Sequence, residues 1–298
     1  MNASTQLDAF LDYLGSAKRL SGHTLSNYRR DLSRFLNFCE QQGISEINKA
    51  ASGDIRNYVG YLRRQGLAAS SIQRQLSALR SFYNYQIRFY GVKANPAAGI
   101  SAPKRGRKLP SSLDVDRVQQ LMEFKGDAPI DKRDRAIMEL FYSSGLRLAE
   151  LASLNLDDID LKEGLVTVTG KGRKTRNVPV GGMALNALKQ WLAERLNQSP
   201  CDEAVFLNNR GERLSHRSIE LRIKQRATQA GVPDNLYPHK LRHSFASHML
   251  ESSGDLRAVQ ELLGHANLST TQIYTHLDYQ HLAKVYDNAH PRAQRKPK

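Results

Sequence analysis

His239-Lys240-Leu241-Arg242-His243, Leu263-Gly264-His265 and Thr270-Thr271-Gln272-Ile273-Tyr274-Thr275-His276 all fall within residues 239–276. Few tasks need a histidine, an arginine, a second histidine and a late tyrosine held together. Attack by a tyrosine on a phosphodiester is one of them. Phenol has a pKa near ~10 and is a poor nucleophile at neutral pH unless assisted. Its attack builds negative charge on phosphate oxygens, and a guanidinium meets that charge with a planar fork that keeps its proton. His239 lies three residues before Arg242, so on a helix the two share a face. Pro238 suits the start of that helix. An imidazole exchanges protons near neutral pH, so His239 can take the tyrosine proton or orient the phosphate. His265 follows Gly264 at a helix end, where a side chain can turn into a cleft. Either histidine alone is also compatible with a packed or surface role. Helices are expected at about 239–251, 255–263 and 279–288.

Arg147 follows Gly145-Leu146, where a helical pattern over Asp131 to Ser144 breaks before resuming at Glu150-Leu151. The break can present Arg147 to a cleft; the plainer reading is a helix-surface ion pair with Glu150, three residues on. Leu165–Thr169 and Arg176–Val180 are β-like, and Gly170–Thr175 between them is a hairpin tip. Lys171 sits on that tip between two glycines. There an ammonium can enter a DNA groove and protonate a departing 5′-oxygen, or form an ordinary solvated turn. Arg173, Lys174 and Arg176 beside it read as phosphate contacts, which position without specifying sequence. Competing motifs fail. Gly164 to Lys171 is one residue too long for a phosphate-binding loop, and Gly172 stands where such a loop needs Ser or Thr. His239 and His243 have the spacing of zinc ligands, but Lys240 replaces the glutamate base of that motif. No metal site is expected.

The rest of the chain is mostly helical. Residues 4–90 read as four helices: Ser4 to Ala17, one capped by Thr24, Gly53 to Arg64, and Ser70 to Phe89. Leu25, Tyr28, Leu32, Phe35 and Leu36 form the inward stripe of the second, with Arg29, Arg30 and Arg34 off it. Ile72, Leu76, Leu79, Phe82 and Tyr83 do the same in the fourth. An irregular stretch from Asn95-Pro96 to Pro110 separates this domain from a second that starts near Leu113. Asp114 opens its first helix, and others are expected at about 182–196 and 215–230. Helices interrupted by one small antiparallel sheet define an α+β domain, not a βαβ array.

Charge supports a polyanionic partner. Of the net +15, residues 1–100 supply +7, residues 101–110 supply +4 and residues 291–298 another +4, while 111–290 is neutral. Lys104, Arg105, Arg107 and Lys108 carry the middle share with no acid among them. A polyanion gripped by two domains and the strap between them fits that pattern. No apolar run approaches the ~20 residues of a membrane span, and Met1–Phe10 lacks the basic start and apolar core of a signal peptide. Cys39 and Cys201 make no disulfide framework, which fits a reducing cytoplasm.

Arg147, Lys171, His239-x-x-Arg242, His265 and Tyr274, in that order, resemble the signature of the tyrosine recombinases, the phage-integrase-like family. The similarity covers the whole chain and is greatest to the bacterial Xer branch, on the stretches 239–277, Glu251–Leu256 and Val285–Arg292. The resemblance implies two domains in a C-shaped DNA clamp. These are a four-helix, SAM-like core-binding domain (1–95), a basic linker (96–112) and a catalytic domain (113–298) with a C-terminal interaction segment and basic tail. It implies cleavage and rejoining of double-stranded DNA at a specific recombination site through a 3′-phosphotyrosyl link, without metal, ATP or cofactor. Tyr274 would be the nucleophile, Arg147 and Arg242 the phosphate clamp, and Lys171 the general acid. His239 would assist proton transfer and His265 support the phosphate. The resemblance further implies a heterotetramer with an XerD-like paralogue that resolves chromosome dimers before cell division, activated by the DNA translocase of the septum. In that assembly Leu282, Val285 and Tyr286 would face a neighbour; a final helix packed on its own domain is the alternative. Tyr279 and Tyr286 rival Tyr274 by position. The competing functions are a plasmid resolvase, an integron or transposon integrase, or a non-catalytic DNA-binding protein.

Overall fold

The computed structural model describes residues 3–20, 22–44, 46–103, 112–123, 126–170, 175–232, 236–263, 285–286 and 288–292. The chain forms two compact units, Met1–Leu109 and Pro110–Lys298.

The N-terminal unit is built from α1 (Ala3–Ser16), α2 (Gly22–Gln41), α3 (Ser52–Arg64) and α4 (Ala69–Tyr90). The apolar stripes dictate the packing. Ile72, Leu76, Leu79, Phe82 and Tyr83 of α4 are all buried, as are Leu32 and Phe35 of α2. Burial of each such side chain contributes roughly 1.5–3 kcal/mol. Buried hydroxyls find partners: Tyr83 Oη donates to the Ile47 carbonyl at 3.0 Å, and Tyr58 Oη donates to Gln75. α2 begins at Gly22, two residues before the expected Thr24 cap, and α4 stops where Gly91 turns left-handed at φ 69°. The segment after Asn95 is less of a linker than its composition implies. Ala97 and Ile100 are buried in this core, and Arg80 donates to both of their carbonyls.

The C-terminal unit is organised around α6 (Pro129–Ser144), buried along nearly its whole length. Pro129 stands at its N-terminus, two residues ahead of the expected start, and Gly145 ends it in the left-handed region at φ 56°. Around α6 lie α5 (Val115–Met122), α8 (Gly182–Arg195), α9 (His216–Gln229) and α10 (Pro238–Ser253). The short α7 (Leu148–Ser153) follows Gly145, and α11 (Leu256–Leu263) follows α10. Asp114 caps α5 as expected, accepting the Arg117 N–H at 2.8 Å.

Strands β1 (Ile159–Asp160), β2 (Leu165–Thr169) and β3 (Thr175–Pro179) form an antiparallel sheet in the order β1-β2-β3. Strand β1 is an addition; the β2–β3 hairpin is the expected one, with β3 one residue earlier than Arg176–Val180 and Thr175 in the strand instead of the tip. The hairpin register pairs Val166 with Val178 and Val168 with Arg176. The valines are buried, so the residue opposite Val168 shares their inward face. The lone tryptophan, Trp191, is buried in this unit, its indole N–H donating to the Val205 carbonyl at 2.8 Å. Among the described residues, no helix is long and apolar enough to cross a membrane.

Candidate active site

Gly145 builds the first wall of the site. Its positive φ turns the chain from α6 to α7, and a Cβ there would collide with the Phe245 ring and approach Leu263 Cδ2 at 3.1 Å. A residue without a side chain therefore lets α6, α10 and the end of α11 converge. Two residues later Arg147 occupies the N-cap of α7.

Glu150, in the first turn of α7, accepts the Arg147 backbone N–H at 2.8 Å and Arg147 Nη1 at 2.7 Å. The expected Arg147–Glu150 pair therefore exists, but it is no surface pair, because the Glu150 side chain is only 3% exposed. The carboxylate also receives a two-pronged bond from Arg176, Nη1 to Oε1 at 2.8 Å and Nη2 to Oε2 at 3.0 Å. Burial alone pushes this carboxyl up. Hydrogen bonds from Arg176 and the Arg147 backbone, the charge of Arg176 and the Arg147 side-chain bond outweigh it and hold the group at about 2.

Arg242, on α10, is buried beside this cluster. Its Nη1 donates to the carbonyl of Gly145, and its Nη2 to that of Leu263 at 2.6 Å. Burial first, and then the charge of Arg147, pull it down to about 10, so it stays cationic at neutral pH. Arg147, Arg176 and Arg242 thus surround one carboxylate and leave an excess of positive charge, with Arg147 38% exposed. His239 is exposed in the first turn of α10, one turn before Arg242. Among the described residues no group of three or more His, Cys, Asp or Glu side chains is placed to hold a metal ion.

The structure brings together Arg147 and Arg242 of the expected set and places His239 on the same helix as Arg242. Lys171, His265 and Tyr274 lie outside the described residues, as do Lys104, Arg105, Arg107, Lys108, Arg173 and Lys174. Arg176 differs from its expected place at a DNA phosphate. Its fork is taken up by Glu150, its Nε approaches the Leu262 carbonyl at 3.4 Å, and its side chain is 10% exposed. Two-residue alternation signals this in the sequence: Arg176 stands two before Val178, on the inward face. Glu150 was missed as a site residue, because helical spacing shows the pair but not its burial.

Of the rival tyrosines, Tyr279 lies outside the described residues and Tyr286 is enclosed. Tyr286 is buried, its hydroxyl 2.6 Å from Ser143 Oγ and its ring stacked on His290 at 4.9 Å. His290 Nε2 donates to the Tyr142 carbonyl at 3.1 Å, its Nδ1 accepts the Arg292 N–H at 3.1 Å, and Arg292 forks onto Glu139. Burial holds His290 at about 4, hence neutral. In this chain Tyr286, Ala289 and His290 therefore face their own unit, the arrangement named above as the alternative to a face for a neighbour. Leu282 lies outside the described residues.

Residues 111–281 match the Phage integrase family, and residues 7–89 match the phage integrase N-terminal SAM-like domain. The chain belongs to the phage integrase family: it is a tyrosine recombinase, an enzyme that cleaves and rejoins DNA. It is 54% identical over 294 residues to tyrosine recombinase XerC of Pseudomonas aeruginosa, covering 97% of this chain and 96% of that one. Among solved structures it resembles XerA recombinase at 30% identity and a TM-score of 0.50, over 97% and 99% of the two chains. The XerH site-specific recombinase bound to a palindromic difH substrate, in a post-cleavage complex, shares the fold at 24% identity. Its TM-score is 0.72, over 96% of this chain and 84% of that one.

Proposed function

We propose that the chain acts as the XerC-type member of a pair, with an XerD-like paralogue, to resolve chromosome dimers in the cytoplasm before cell division. Similarity to XerC along almost the full length of both chains supports this placement. In the proposed reaction the Tyr274 oxygen attacks the scissile phosphorus as its proton passes to His239. The bond to the 5′-oxygen breaks and that oxygen takes a proton from Lys171. Arg147 and Arg242 hold the non-bridging oxygens and stabilise the charge of the transition state, with His265 supporting the phosphate. A 5′-hydroxyl from the partner duplex then attacks the phosphotyrosine and reverses each transfer, so bond energy is conserved. Lys104, Arg105, Arg107, Lys108, Arg173 and Lys174 contact phosphates.

The observation that carries the reading is the gathering of Arg147 and Arg242, far apart in sequence, around Gly145 and Glu150. A nicked suicide duplex tests it. The wild-type enzyme becomes covalently trapped, with or without chelator, while Tyr274→Phe binds the same DNA and stays free. A trapped Tyr274→Phe complex removes Tyr274 from the mechanism. Recombination of a resolution site only when the paralogue is added tests the partnership.

A further inference from the structure

We infer that Arg176 is a positioning residue for DNA cleavage: it fastens the hairpin that carries Lys171 to Glu150, and through Glu150 to Arg147. The inference rests on the proposed roles of Arg147 and Lys171. Arg176 is the second residue of β3, paired with buried Val168, so the sheet itself aims it inward. It meets three separate pieces of chain. Its own strand leads back to the hairpin tip; its fork grips Glu150 of α7 at 2.8 and 3.0 Å; its Nε reaches the Leu262 carbonyl in the last turn of α11 at 3.4 Å. Arg242 takes the next carbonyl, Leu263, at 2.6 Å. Two guanidiniums thus hold the C-terminal carbonyls of α11, where a helix favours cations, immediately before the segment with His265 and Tyr274.

With Nη1 and Nη2 on the buried Glu150 carboxylate and Nε toward the Leu262 carbonyl, the donors of Arg176 are engaged within the unit on both edges of the guanidinium. Its contribution is geometric. A general acid on a hairpin and a phosphate clamp on a helix must keep their spacing to better than about 1 Å, and misplacement on that scale costs about 100-fold in rate. Arg176 gives a direct side-chain link between strand β3 of the hairpin and α7. Glu150 is faced by Arg147 from α7, by Arg176 from β3 and by the charge of Arg242 from α10. Without Arg176, burial weighs more heavily on this carboxyl, which then takes up its proton at higher pH and releases Arg147.

The test uses full-length wild type, Arg176→Gln and Arg176→Lys, with single-turnover trapping on the nicked duplex from pH 5 to 8.5 and DNA binding as a function of salt. Arg176→Gln is expected to trap about 100-fold more slowly, with its rate relative to wild type falling further toward pH 5, and with unchanged affinity and salt slope. Arg176→Lys keeps a charge but no fork and is expected to recover part of the rate. Trp191 fluorescence reports whether each variant is folded; if Arg176→Gln is not, slower trapping by folded Arg176→Lys carries the test. Wild-type trapping rates in either folded variant overturn the inference. So does weaker binding with a salt slope flattened by about one and trapping unchanged at saturating DNA, the signature of a phosphate contact. Failure of the wild type to become trapped overturns the proposed function instead.

Discussion

Replacing Glu150 with Gln keeps the shape of the side chain and removes the charge that Arg147, Arg176 and Arg242 share. The size of the effect follows from the carboxyl itself. It lies at about 2 in the folded unit against an ordinary 4.5, and at ~1.4 kcal/mol per pH unit that gap is worth about 3 kcal/mol. The group is almost wholly enclosed, so solvent screens little of it. Because the folded value is depressed, this stabilisation is complete above about pH 4.5 and is lost as the pH falls toward 2. The amide also aims donors at guanidiniums that can only donate, which leaves buried positive charge unmatched. Trp191 is the single tryptophan and lies in the C-terminal unit, so urea unfolding followed by its fluorescence reads that unit alone. At ~1–3 kcal/mol per molar urea, the Glu150→Gln midpoint at pH 7 falls by about 1–3 M. The difference from wild type narrows as both are taken from pH 4.5 to 3. Coincident midpoints at pH 7, or a difference that widens in acid, would refute the electrostatic account of the cluster.

Three other perturbations test neighbouring parts of the argument. Gly145→Ala forces a Cβ into a left-handed residue and against the Phe245 ring, and should cost about 1–3 kcal/mol in the same unfolding assay; an unchanged midpoint means the turn is not required. Tyr286→Phe removes the hydroxyl 2.6 Å from Ser143 Oγ and should cost about 1 kcal/mol while leaving covalent trapping on nicked DNA intact; loss of trapping in the folded variant would restore Tyr286 as a nucleophile. Changing Lys104, Arg105, Arg107 and Lys108 together to Gln should weaken binding to all DNA sequences. It should also flatten the plot of log affinity against log salt by about 3 to 4; an unaltered slope would show that these cations do not meet phosphates.

Much of the fold was legible because its rules are local. The helical spacing of Ile72, Leu76, Leu79, Phe82 and Tyr83 marked both α4 and its buried face, and Asp114 announced a cap that forms. Gly145 announced a break, though not that Phe245 lies where its side chain would be. What stayed hidden depends on contacts distant in sequence. Two-residue β1 is too short to show a period and exists only through pairing with β2. Asn95-Pro96 reads as linker, yet Ala97 and Ile100 pack into the N-terminal core, and Arg80, on α4, binds their carbonyls. In the site, ordered residue types exposed Arg147, His239 and Arg242, whereas the burial of Glu150 needed β3 and α10 to be in place. Arg176 stood between these cases: a charged residue beside a basic tip invites a reading as a DNA contact, but its register with Val168 and Val178 already turned it inward.

The neutrality of residues 111–290 conceals how a cationic site is made there. Net charge counts groups without saying where they meet. Asp134 is buried against Arg133, Arg222 and Arg226, and Asp131 also pairs with Arg226. Glu139 is buried against Arg292. These acids are engaged within the framework around α6, where a buried charge must be matched by a partner. Asp131 and Asp134 already face three arginines, and Arg292 lies beyond residue 290, so the neutral sum of 111–290 depends on acids elsewhere and leaves the distribution uneven. Around Gly145 it is uneven: one carboxylate, held ionised by its neighbours, faces three guanidiniums, and two of Arg242's donors go to uncharged carbonyls. A phosphodiester entering beside Arg147 would bring the missing negative charge, and the charge that develops on its oxygens during attack would be met by groups already in place. Glu150 is what allows three arginines to share so small a volume before DNA arrives, and its removal should be felt first as lost stability.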